Sequence, residues 1–207
     1  MFRSLESRRL FAAQIGLSNG QVTVAGSDTL RDEINVTYVN VGSSFGIEIA
    51  RLEAVQRDGS GEVVSSITRE FDTARFTNLK IDTRGGNDQV IITDDFSDDR
   101  SRHATVYGGS GDDLISAGME SLKLIDGGSG NDRLSGAATI RGGTGDDILS
   151  GTGTHGHEAG GRWEKLYGDA GRDTIYGNVG NDVIDGGVSN DTIFQRVDYY
   201  SGGESTI

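Results

Sequence analysis

The chain has 207 residues, with 33 Gly, no Pro and no Cys, and its 32 acidic against 19 basic residues give a net charge of −13. Such a surface repels nucleic acid and anionic membrane and attracts divalent cations, so no nucleic-acid partner is expected. The lack of Cys excludes a disulfide framework and a thiolate zinc site, and no apolar run approaches the roughly 18 residues needed to span a bilayer. Glycine at about one residue in six is about double the usual share, so many positions require positive φ or close backbone approach.

Residues 1–17 form an export-like segment: Arg3, Arg8 and Arg9 precede a short apolar stretch, Leu10 to Leu17, which Gln14 interrupts. Residues 18–82 are predicted to be β-rich. Gln21 to Ala25 and Ile34 to Val39 alternate in the strand period, and Ile47 to Ile49 and Phe71 to Ile81 look similar. The simplest expectation is that these strands cap or continue the structure that follows; a separate small β-domain is the alternative.

From residue 83 a nonapeptide recurs. GGSGDDLIS (108–116), GGSGNDRLS (127–135) and GGTGDDILS (142–150) are followed by three tandem copies, GDAGRDTIY (168–176), GNVGNDVID (177–185) and GGVSNDTIF (186–194). TRGGNDQVI (83–91) is a weaker copy, and the stretch Gly26 to Asp32 reads as a decayed turn of the same kind with Asp32 in the sixth place. If each copy is a six-residue turn leading into a short strand, its eighth residue faces a core. Those residues are Val90, Ile115, Leu134, Leu149, Ile175, Ile184 and Ile193, all apolar. The residues two places before each turn are Ile81, Val106, Ile125, Ile140, Leu166, Ile175 and Ile184, again all apolar. Short strands separated by Gly/Asp turns suit an all-β, flattened parallel β-solenoid in which coils must stack to bury their apolar rows.

These turns carry the chemistry that calcium needs. The ion is a hard cation that takes six to eight oxygen ligands. Glycines let a turn bend so that backbone carbonyls converge, and the sixth-place Asp adds a carboxylate.

The repeats over 83–194 resemble the RTX, or hemolysin-type, calcium-binding nonapeptide G-G-x-G-x-D-x-U-x, where U is apolar. The resemblance implies a parallel β-roll in which calcium ions sit between turns stacked on one edge. Each turn would supply its Asp and carbonyls of its Gly-rich part. Carried onto this chain, the implied metal residues are Asp88; Gly108, Gly109, Ser110, Gly111 and Asp113; Gly127, Gly128, Ser129, Gly130 and Asp132; and Gly142, Gly143, Thr144, Gly145 and Asp147. The tandem copies add Gly168, Gly171 and Asp173; Gly177, Gly180 and Asp182; and Gly186, Gly187 and Asp191.

In the family a regular coil uses two nonapeptides, 18 residues, which is the separation of Asp173 and Asp191. Spacings of 25, 19, 15 and 26 along Asp88, Asp113, Asp132, Asp147 and Asp173 then read as single coils with return loops of different length. On that reading these six aspartates share one edge, with up to five ions in the gaps, while Asp182 lies on the opposite edge with the variable loops 93–103, 117–121, 135–138 and 151–162. Thr83 and Arg84, Asp169, Asn178 and Ser189 stand where the pattern wants glycine, which weakens their turns. Residues 195–207 form a short tail after the last repeat. Leu5 to Leu10 resembles a short N-terminal signature of exported proteins, which implies export.

Other chemistry is less well supported. His155 and His157, with Glu158, could chelate a transition metal but stand in a Gly-rich insertion without a fourth ligand. No H-E-x-x-H, G-x-S-x-G or Walker sequence occurs. The expectation is a secreted, non-catalytic module that binds several calcium ions and folds on them. An extracellular adhesion module for a glycan or protein, with calcium structural, is the alternative.

Overall fold

The computed structural model describes residues 13–41, 47–93, 103–118, 122–136, 139–152, 164–179 and 182–196. Strands alternate between two facing sheets. One holds β1 (Gln14–Ser18), β2 (Gln21–Ala25), β6 (Asn78–Asp82), β8 (His103–Ser110), β10 (Leu122–Ser129), β12 (Thr139–Thr144), β14 (Lys165–Ala170) and β16 (Val183–Asp185), in that spatial order. The other runs, in spatial order, β5 (Val63–Asp72), β4 (Ile47–Arg57), β3 (Arg31–Val41), β7 (Gln89–Thr93), β9 (Leu114–Ala117), β11 (Arg133–Gly136), β13 (Ile148–Gly151), β15 (Thr174–Val179) and β17 (Thr192–Arg196).

A coil is one strand from each sheet joined by a tight turn, and the next coil stacks on it in parallel register, as Ile81, Val106, Ile125, Ile140, Leu166 and Ile184 do in the first sheet. The chain is thus a parallel β-solenoid whose sheets remain open at their ends. It reaches further toward the N-terminus than the repeat does. β2 pairs in parallel with β6, and β3 with β7, so residues 21–41 make one more coil.

At that end the pairing becomes antiparallel. β1 folds back on β2 through Asn19 and Gly20, both at positive φ, the two-residue hairpin turn that Asn-Gly favours. β3, β4 and β5 form a meander. Its second turn is held by Asp58, whose Oδ1 accepts the Ser60 and Glu62 amides.

The core lies between the sheets, where alternate residues of each strand meet. Ile81, Val106, Ile125, Ile140 and Leu166 from one side, and Val90, Ile115, Leu134, Leu149 and Ile175 from the other, are all at most 2 % exposed. Each such side chain stabilises the fold by roughly 1.5–3 kcal/mol relative to an exposed position. The inward rows end at the last coil. Ile193, expected in the core, is 47 % exposed, because among the described residues β17 is the outermost strand of its sheet.

Candidate metal centre

From β6 onward each coil turns at one edge through the first six residues of a repeat copy. The second and fourth places need positive φ: Gly109 (102°), Gly111 (118°), Gly128 (105°), Gly130 (122°), Gly143 (108°), Gly145 (127°), Gly171 (142°) and Gly187 (91°). Stacking demands glycine there as strongly as φ does, since a Cβ on Gly130 would strike the Gly111 carbonyl of the coil beneath, and one on Gly145 the Gly130 carbonyl. Arg84, Asp169 and Ser189 hold the same places at φ of 69°, 68° and 102°, and Asn178, in the copy on the opposite edge, is at 59°; Ser189 is the strained one, the others lying in or near the left-handed well.

This stack brings the sixth-place aspartates into line. The amide of Asp88 donates to Oδ1 of Asp113 (2.8 Å), Asp113 to Asp132 (2.8 Å), Asp132 to Asp147 (2.8 Å), Asp147 to Asp173 (2.9 Å) and Asp173 to Asp191 (3.0 Å). Unequal sequence spacings of 25, 19, 15, 26 and 18 residues therefore all correspond to one step along the edge. One carboxylate oxygen of each rung is used in this ladder. The other, Oδ2, of Asp88, Asp113, Asp132, Asp147 and Asp173 is buried with no hydrogen-bond partner. A buried, ionised oxygen without a donor is costly, and a cation is the ordinary remedy.

The first-place glycines make room for such a cation. A Cβ on Gly127 would collide with Asp132 Oδ2 and lie 2.7 Å from the Gly142 carbonyl oxygen of the next coil. On Gly142 it would meet Asp147 Oδ2 and the Gly168 oxygen, and on Gly108 the Asp113 Oδ2 and the Gly127 oxygen. In each gap, then, an unpaired carboxylate oxygen and a carbonyl from the following coil converge on the bare face of a glycine. This donor set of hard oxygens suits calcium, and the residues present fit the ion. Among the described residues no three acidic or His side chains gather at one point, so carbonyls and water would complete each site's shell. The third-place residues Ser110, Ser129 and Thr144 contribute carbonyls already accepting the amides of Gly86, Gly111 and Gly130.

Burial dominates the electrostatics of the edge. It pushes the carboxyls of Asp88, Asp113 and Asp147 up to about 7 and that of Asp132 to about 6, with neighbouring acids adding to the effect, and Asp173 moves the same way. Without metal the coils therefore gain stability from protonation. That gain is complete below about 3.8, the unfolded value, and is lost as pH rises through 6 to 7. A bound cation favours the ionised form and reverses the dependence.

Two features escaped the sequence reading. The fifth place carries a second, exposed ladder running the other way. The amide of Asp112 donates to Asn87 Oδ1 (3.0 Å), Asn131 to Asp112 (2.7 Å), Asp146 to Asn131 (2.8 Å) and Arg172 to Asp146 (2.9 Å). Asn and Asp alternate from Asn87 to Asp146, so no two carboxylates adjoin within that row. The second feature is on the opposite edge, where Asp182 lies as expected. Its Oδ1 accepts the amide of Glu164 (3.2 Å) and its Oδ2 the Gln195 amide group (3.2 Å). Glu164 is buried and accepts from Thr152 through both amide and hydroxyl. Gly177 belongs to this edge, where a Cβ would meet Gln195. Gly180 and the His155, His157 and Glu158 group lie outside the described residues.

The geometry defines a parallel β-solenoid with one edge of stacked carboxylates and glycine carbonyls built for a hard divalent cation. A model of the RTX calcium-binding nonapeptide repeat matches it in four copies, at residues 105–119, 124–138, 135–154 and 158–193. Residues 105–193 thus carry RTX, hemolysin-type, calcium-binding repeats, and calcium is the ion such repeats bind. No curated protein and no solved structure matches it.

Proposed function

We propose that this chain is a secreted, non-catalytic module that folds when it meets extracellular calcium. The observation that carries the reading is the row of buried Oδ2 atoms without donors, which makes the metal-free edge self-repelling and the loaded edge stable. Ions bound only by stacked coils stabilise the folded state by RT ln(1 + [L]/Kd) per site, and sites that share coils load together. Affinities of roughly 10⁻⁴–10⁻³ M, ordinary for extracellular modules, would leave the repeat coils weakly held where calcium is scarce and stably stacked where it is millimolar.

A calcium titration followed by far-ultraviolet circular dichroism tests this. Strand signal is expected to rise in one cooperative step, with its midpoint at lower calcium at pH 8 than at pH 6, since binding displaces protons from the raised carboxyls. A spectrum unchanged by calcium at both pH values would end the proposal.

A further inference from the structure

The edge aspartates are alike in their ladder and unlike in what meets the second carboxylate oxygen. At the N-terminal end, Asp32 also joins the ladder, its amide donating to Asp88 Oδ1 at 2.7 Å. Yet both its oxygens are already supplied by protein: Oδ2 accepts the Ser27 amide (2.7 Å) and Oδ1 the Gln56 side-chain amide (2.8 Å). Gln56 is itself fully buried and fixed by the Ala13 amide at 3.0 Å.

The next coil departs differently. Its first place is Thr83, fully buried, where the coils from 108, 127, 142 and 168 have glycine. The side chain fills the pocket that glycine leaves open, and its hydroxyl donates to the Gly108 carbonyl at 2.6 Å. Asp88 keeps a buried Oδ2 without a hydrogen bond of good geometry, the Thr83 hydroxyl lies against its carboxyl, and the carbonyl that would share an ion with it is taken. Only from Asp113 onward do an unpaired Oδ2, a bare glycine face and a following carbonyl occur together, at Asp113, Asp132, Asp147 and Asp173.

The core changes at the same place. One inward row in register reads Val36, Ile92, Ala117, Gly136, Gly151 from the N-terminal coil onward. Its counterpart in the other sheet reads Val22, Leu79, Ala104, Leu122. In the coil of β14 a buried Glu164 precedes the strand. The N-terminal coils thus bury two apolar side chains per strand, while later coils of the β3-side sheet bury one. Less apolar area stabilises them, and the metal-ready gaps lie where that area falls.

We propose that Thr83 sets a boundary along the edge: the gaps at Asp32 and Asp88 are closed by the chain's own groups and take no calcium, and the ion sites begin at Asp113. This rests on the calcium reading of the edge. It makes coils β2/β3 and β6/β7 a metal-independent base on which later coils are added by metal. It also lowers the ion number on this edge from the five expected of six aspartate turns to the four gaps at Asp113, Asp132, Asp147 and Asp173.

Counting bound calcium by equilibrium dialysis of the full chain tests the boundary. Thr83→Gly, which reopens the pocket, is expected to bind one more ion per chain than wild type. Thr83→Ser, which keeps the hydroxyl, is expected to leave the count unchanged. Asp88→Asn is expected to lose no ion in the wild-type background and to remove the extra ion in T83G. The proposal is overturned if T83G reaches the wild-type spectrum in saturating calcium with no added ion, or if D88N alone loses one. Should T83G fail to fold, the D88N count decides by itself. A wild-type chain that binds no calcium would instead defeat the calcium reading on which the boundary rests.

Discussion

Asp132→Asn is expected to stabilise the metal-free protein and weaken the calcium-loaded one. Its side-chain oxygen can still accept the Asp113 amide, as Oδ1 does now at 2.8 Å. The amide nitrogen would replace the buried, unpaired Oδ2 beside the Gly142 carbonyl, so a repulsive pair of oxygens becomes a donor and an acceptor. Removing one buried unsatisfied group is worth about 1–3 kcal/mol, and that gain is expected in chelator. In calcium the sign inverts, because a neutral amide cannot replace a carboxylate ligand: one ion is lost and the folding midpoint moves to higher calcium. Urea unfolding with and without calcium reads both effects. Destabilisation by the same amount in both conditions would mean that Asp132 is only a structural hydrogen-bonding residue.

Gly130→Ala is expected to be severely destabilising. The residue sits at φ 122°, outside the left-handed region that alanine tolerates, and its Cβ would strike the Gly111 carbonyl. Backbone strain of about 1–3 kcal/mol adds to the cost of separating two coils whose ladder bonds are near 2.8 Å. A loss of at least about 3 kcal/mol in calcium is expected, read as a fall in chemical-denaturation midpoint. Gly118, where a Cβ has open space apart from an ordinary contact at 3.9 Å, serves as the control, with Gly118→Ala expected to be near neutral. Equal tolerance of both substitutions would contradict the stacking described for the turns.

Much of this was legible because one short motif encodes both fold and site. The eighth-place apolar residue, the glycines and the aspartate are each demanded by a different physical need at a fixed offset. Unequal spacings did not hide the edge, since return loops can vary on the far side while the turn itself cannot. Ile193 broke the rule because period identifies an inward direction, and only a further coil supplies cover. The N-terminal coil was partly readable from Gly26 and Asp32, but nothing local in Gln56 announces that it would supply Asp32 from a neighbouring antiparallel strand. The Asn19-Gly20 signal for the β1–β2 hairpin was present in the sequence and went unused. The fifth-place ladder was invisible to the consensus, which treats that place as free. Its signal was the run of Asn87, Asp112, Asn131 and Asp146, short polar side chains able to reach a backbone amide. Thr83 looked like a decayed repeat, whereas its hydroxyl gives it a definite role.

The central claim is that calcium lies between coils, shared by a carboxylate Oδ2 from one and a glycine carbonyl from the next. Crystals grown in calcium, measured for anomalous scattering by the ion, test it most directly. The account predicts peaks in the gaps at Asp113, Asp132, Asp147 and Asp173, each within about 2.3–2.6 Å of the Oδ2 atom and a carbonyl oxygen of the following coil. Peaks only on exposed acids, with those Oδ2 atoms still unliganded, would contradict it.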